Sequence, residues 1–196
     1  MKIRVLFPVL FFLMSIRSFA QHTPSYPFSL QKGDFLINAG ISIGHFKTAN
    51  YKNAYRTGVF PEISLTGEYA LTDELSIGPM LSYYARSYKY ETPAETFTFG
   101  ANRYFAGGRA SFHFGPFLEK HLITNLDSEH FDIYAVFGGG YKGTFFVNDP
   151  YNQPTGRFTA IAMAGLRYMF FERIGLYAEG GLGPFAVITF GLTTRL

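Results

Sequence analysis

The side chains able to do chemistry are few and scattered. The histidines are His22, His45, His113, His121 and His130. Ser111 and His113 stand two apart, with Arg109 two residues earlier, so an extended backbone puts all three on one face. A hydroxyl beside an imidazole is the start of a nucleophile–base pair. With an acid near a membrane interface, it would suit acyl transfer or hydrolysis on a lipid. Ser-x-His is a spacing that chance supplies readily, so no catalytic residue is assigned and the chain reads as a non-enzyme. His121, Asp127, Glu129 and His130 carry metal-ligating atoms, but their spacing matches no tetrahedral set, and neither metal nor cofactor is expected. The chain has no cysteine, which removes disulfides and thiolate metal sites. Gly138–Gly140 is followed by no Lys-Ser/Thr pair and no helix, so it is not a phosphate loop; it suits a curving wall or a crowded interior.

Charge and targeting set the compartment. Lys2 and Arg4 precede the apolar run Val5–Met14, and small or mixed residues lead to Ser18-Phe19-Ala20. That is the layout of a secretory signal peptide, read as residues 1–20 with cleavage after Ala20. The run is about half the ~20 residues of a spanning helix. The leader holds Lys2, Arg4 and Arg17 and no acid, so the 17 basic and 14 acidic residues of the whole chain become 14 and 14 after cleavage (17 − 3 = 14). A neutral mature chain gives no reason to expect a nucleic-acid partner.

Any reactive group must be held by strands. Residues 21–32, with Pro24 and Pro27, read as an extended leader, and from Asp34 the chain alternates with period two. Eight strands are predicted, at about 34–46, 58–71, 75–90, 97–115, 131–146, 157–171, 174–182 and 185–196. The polar stretch 47–56 is predicted as a loop, and a bulge or an unpaired position is expected at Pro79, which cannot donate to a ladder. Most strands equal or exceed the 9–11 residues that cross a bilayer when tilted. Short turns fall on the side of the termini and longer loops opposite, although the connection between strands 4 and 5 is long and that between 7 and 8 is short. The terminal strand runs to Leu196 with Leu192, Phe190 and Ile188 on one face, and needs the first strand as a partner to close a barrel.

The apolar faces are expected to point outward. A soluble barrel needs a charged exterior, yet the first strand has no charge between Phe35 and Gly44 and the last carries only Arg195. The opposite faces are rich in Gly, Ser and Thr with scattered charges, which suits a filled lumen. Glu62, Glu68, Arg109, Lys142, Arg167, Glu179 and Arg195 are expected to form a packed, paired lumen network, because unpaired buried charges cost several kcal/mol each. Aromatics near strand ends, such as Tyr83, Tyr90, Phe131 and Phe171, fit interfacial girdles. Lys47, Tyr51, Lys52, Tyr55 and Arg56 make the first long loop basic and aromatic, a candidate contact for lipopolysaccharide phosphates or another external ligand.

The signal peptide, the eight alternating strands and the terminal strand ending at Leu196 resemble the small eight-stranded outer-membrane barrels: the OmpX-like and OmpA-transmembrane-domain-like proteins and the broad "outer membrane protein beta-barrel domain" group. The resemblance covers about residues 33–196. It implies an all-β, eight-stranded antiparallel up-and-down transmembrane β-barrel in a bacterial outer membrane. It also implies outer-membrane lipid and lipopolysaccharide as surroundings, and the barrel-assembly machinery as a partner during insertion. Ending in Leu196 departs from the aromatic residue common at that position. The role expected is structural or surface-interacting, with a narrow porin-like channel as the alternative and a lipid-modifying enzyme behind it.

Overall fold

A computed structural model describes residues 30–45, 54–91, 96–115, 117, 130–148 and 153–196. Residues 1–29, which include the expected signal peptide, lie outside them. Eight strands follow one another: β1 Phe35–His45, β2 Ala54–Ala70, β3 Leu75–Glu91, β4 Thr96–His113, β5 Phe131–Val147, β6 Thr155–Met169, β7 Ile174–Leu182 and β8 Ala186–Arg195. Each pairs antiparallel with the next, and β1 pairs with β8, closing the barrel. The seam is continuous from Leu36↔Arg195 to His45↔Ala186, and the Leu196 N–H donates to the Phe35 carbonyl at 2.9 Å. No helix among the described residues is long and apolar enough to cross a membrane.

The period-two pattern decides which way side chains point. Leu65, Leu81, Phe137 and Leu192 are 48%, 51%, 62% and 57% exposed on the outer wall. Their strand neighbours Ser64, Met80, Val136 and Thr193 are buried inside. The apolar face is therefore outward on every strand, and no charged side chain interrupts it on β1 or β8.

Two details differ from the sequence expectation, and a third matches it in part. The stretch expected as a loop to Arg56 already pairs: β2 begins at Ala54, opposite Tyr90, because the barrel wall rises higher on this side than alternation shows. Of the bulge or unpaired position expected at Pro79, the unpaired position is what forms. The β3–β4 ladder passes through Pro79↔Gly108, but on the β2 side the pairing runs from Thr66↔Met80 to Tyr69↔Ile77 and skips Gly78 and Pro79, with the register the same before and after. The register shifts fall instead between Arg56 and Gly58 and between Phe60 and Ile63, around Pro61, whose missing N–H also removes a ladder donor. Gly78 explains part of the tight β2–β3 approach, since a Cβ there would overlap the Gly67 carbonyl oxygen.

The interior was expected to hold hydrophilic and very small residues; it is layered instead. At the end carrying the termini, Leu30 is 2% exposed and packs with Leu36, Ala70 and Met169 as a floor. Gly33, at φ 100°, lets the chain turn from Leu30 into β1, and its N–H donates to the Ala70 carbonyl at 2.9 Å. Above the floor lies a charged layer. Above that, Met80, Tyr84, Phe105, Val136, Ile161, Met163 and Phe185 form an apolar storey, and Tyr88, Phe99 and Ala101 pack near the far rim.

Candidate functional site: a charged girdle inside the barrel

The girdle is built by inward positions of all eight strands, β8 adding Thr193. Arg109 on β4 grips Glu179 on β7 through two nitrogens, at 2.6 and 3.2 Å. It also lies 3.6 Å from Glu68 on β2. Arg167 on β6, fully buried, donates to Asp132 at 2.7 Å, lies 3.5 Å from Glu68 and rests 4.8 Å over the Tyr134 ring. The Tyr134 hydroxyl donates to Glu179 at 3.0 Å. Neutral groups complete the ring: Asn38 donates to Thr66 and Glu68, and its carbonyl accepts from Thr193 at 2.6 Å. Such mutual satisfaction is what makes buried charge tolerable.

The Ser111–His113 pair considered above does not form. Ser111 donates to Glu68 at 2.6 Å, and its hydroxyl accepts from Arg109 at 3.3 Å. His113 faces Asp132 through Nδ1 at 2.9 Å and Ser76 through Nε2 at 3.0 Å. Ser76, His113 and Asp132 thus share the connectivity of a nucleophile, base and acid, but the Ser76 hydroxyl donates to Glu68 at 2.9 Å. Its proton is directed away from the imidazole. The imidazole therefore bridges Asp132 and Ser76, and two arginines (Arg109, Arg167), with His113 beside them, face three carboxylates (Glu68, Asp132, Glu179). All six side chains are at most 3% exposed.

Of the seven residues expected in the lumen, Glu68, Arg109, Arg167 and Glu179 meet in the girdle. Glu62 and Lys142 lie in the storey above, where Lys142 donates to the Pro184 carbonyl at 2.7 Å. Arg195 sits at the rim near the termini, 3.6 Å from Asp34 and partly exposed. Asp132 and His113 join the girdle without having been assigned to it. Both alternate with outward apolar residues, so their inward direction was available from the pattern. Lys47, Tyr51 and Lys52 lie outside the described residues, as do His121, Asp127 and Glu129. Tyr55 and Arg56 fall within β2, and the His130 ring lies 6.1 Å from that of Tyr168.

No family model matches the chain, and no curated protein matches it in sequence. Solved structures do. The outer membrane protein OprG from Pseudomonas aeruginosa aligns at 12% identity and a TM-score of 0.52, covering 85% of this chain and 97% of that one. The N-terminal β-barrel domain of P. aeruginosa OprF aligns at 16% identity and 0.48, covering 85% and 98%. The E. coli outer membrane protein W aligns at 14% and 0.45, covering 85% and 99%. The chain has the fold of the small eight-stranded outer-membrane β-barrels.

Proposed function

We propose that the protein is an integral outer-membrane barrel with a sealed bore, acting through its wall and its loops as a structural or surface-interacting element. One observation carries this reading: buried, mutually paired charges from strands all around the barrel lie between an apolar floor and an apolar storey. An eight-stranded bore is only wide enough for side chains, and here they occupy it. The end with the termini and the short β2–β3 and β6–β7 turns is the periplasmic side on this reading, although the longest connection, between β4 and β5, falls on that side too. The unbroken apolar exterior supports lipid as its surroundings. By their place in the sequence, Lys47 and Lys52 between β1 and β2, with Arg56 in β2, are suited to lipopolysaccharide phosphates. Insertion by the barrel-assembly machinery and export by the leader belong to the same reading, as does the lack of enzymatic activity.

Conductance tests it. The purified barrel, reconstituted in a planar lipid bilayer, is expected to give no steady conductance step. A stable ohmic channel in the unmodified protein would contradict the sealed bore and favour passive transport.

A further inference from the structure

The connection between β7 and β8 is Gly183–Phe185, and its aromatic residue does not face the surface. Phe185 is 4% exposed, inserted into the apolar storey against Tyr84, with ring centroids 6.2 Å apart. The Lys142 ammonium lies 4.8 Å from the centre of the same ring, and it donates to the carbonyl of the preceding Pro184. Loops normally run over the surface. This one puts a ring between a second ring and a cation, and an acceptor oxygen onto that cation. These are the contacts a protein makes to a small ligand.

We propose that the upper storey is a binding site for small aryl-alkyl carboxylates, and that the Pro184–Phe185 segment is its built-in occupant. The covalent spacing sets the ligand. The Pro184 carbonyl carbon and the Phe185 ring are separated by three chain atoms, the nitrogen, Cα and Cβ of Phe185. A ring three methylenes from a carboxyl carbon reproduces that span, as in 4-phenylbutanoate. The charge setting favours an anion over a neutral carbonyl. Lys142 has Arg157 and Arg103 beside it and Glu62 as the acid near it, and a charged acceptor makes the stronger hydrogen bond. Glu62, 1% exposed, faces the same storey with Oε2 making no hydrogen bond. The lining of Met80, Phe105, Val136, Ile161 and Met163 is apolar enough to hold a ring.

Access is from the rim opposite the termini. β7 stops at Leu182, opposite Ala162, while β6 continues to Thr155, so the wall is low where the connection sits. The girdle below closes the storey, which makes it a blind site rather than a passage. Its failure would leave the sealed-bore reading intact, because conductance does not enter the test.

The full barrel, refolded in detergent micelles, is titrated calorimetrically with 4-phenylbutanoate and with 4-phenylbutanol. The wild type must first displace its own ring, which lowers its apparent affinity by the fraction of molecules with the storey vacant. Phe185→Ala is expected to bind the acid about tenfold or more tightly than wild type, as the removal of a competing occupant requires. Adding Lys142→Met to that variant is expected to abolish the preference for acid over alcohol. A folded Phe185→Ala barrel that binds the acid no more tightly than wild type overturns the proposal. So does a preference for the acid that survives Lys142→Met. Should Phe185→Ala fail to fold, Phe185→Leu is read the same way: tighter binding of the acid supports the site, unchanged binding overturns it.

Discussion

Arg167→Met is expected to lower the stability of the barrel by about 3–5 kcal/mol, the cost of removing one partner from a buried ion network. Arg167 is fully buried, donates to Asp132 and lies beside Glu68 and over Tyr134. Without it, three buried carboxylates (Glu68, Asp132 and Glu179) remain with Arg109 as the one arginine of the girdle. Urea unfolding in phospholipid vesicles reads the loss as a shift of the midpoint. Adding Asp132→Asn is expected to restore part of it, because the second change removes the charge that the first left unmatched. Arg195→Met is the control. Its pair with Asp34 is partly exposed and 3.6 Å long, and such pairs contribute about 0–1 kcal/mol. Equal losses for Arg167→Met and Arg195→Met would mean that the girdle is not a desolvated network.

Leu192→Arg is expected to cost about 2–4 kcal/mol in a bilayer, the penalty for a cation on the lipid face near the midplane. Leu192 is 57% exposed and stands opposite Ala39, in the middle of the β1–β8 seam. Phe171→Arg, in the turn after β6 and 63% exposed, is expected to cost about 0–1 kcal/mol, because it lies near the interface. On a water-soluble barrel both changes would be mild surface substitutions within about 0.5 kcal/mol. A depth-dependent difference measured in vesicles therefore separates lipid from water as the solvent of the outer wall.

The architecture was legible because alternation carries its own direction. Phe35-Leu36-Ile37-Asn38 states the two faces residue by residue, and the scarcity of charge on both faces of β1 and β8 is what a membrane wall requires. Strand β7 could be bounded at 174–182 because the turn residues Glu172-Arg173 and Gly183-Pro184 flank it. What alternation does not carry is height. Glu62 and Glu68 share a face of β2, yet one lies in the apolar storey and the other in the girdle, since inter-strand register sets the level. The same blindness put Lys142 with the charge network, although it holds the Pro184 carbonyl. Phe185 reads in the sequence as the first residue of the last strand, on the same face as Thr189 and Thr193, with no sign that it fills the apolar storey from a turn. A side chain that enters the lumen from a turn belongs to no period, and its neighbours Gly183 and Pro184 read as ordinary turn residues. Pro79 was partly legible: a rule about ladder donors suggested a bulge or an unpaired position, and the β2 side is unpaired at Gly78 and Pro79 while the register continues.

The orientation of the wall is the claim on which the rest depends, and the absence of cysteine makes it directly measurable with single spin labels. Nitroxides attached at Ile63, Leu65, Leu81 and Leu192, one at a time, are compared in vesicles by their collisions with oxygen, which concentrates in lipid, and with a water-soluble nickel complex. All four are expected to collide strongly with oxygen and weakly with nickel. Strong collisions with nickel at these positions, with oxygen weak, would show the apolar face turned away from lipid and contradict a membrane-spanning barrel.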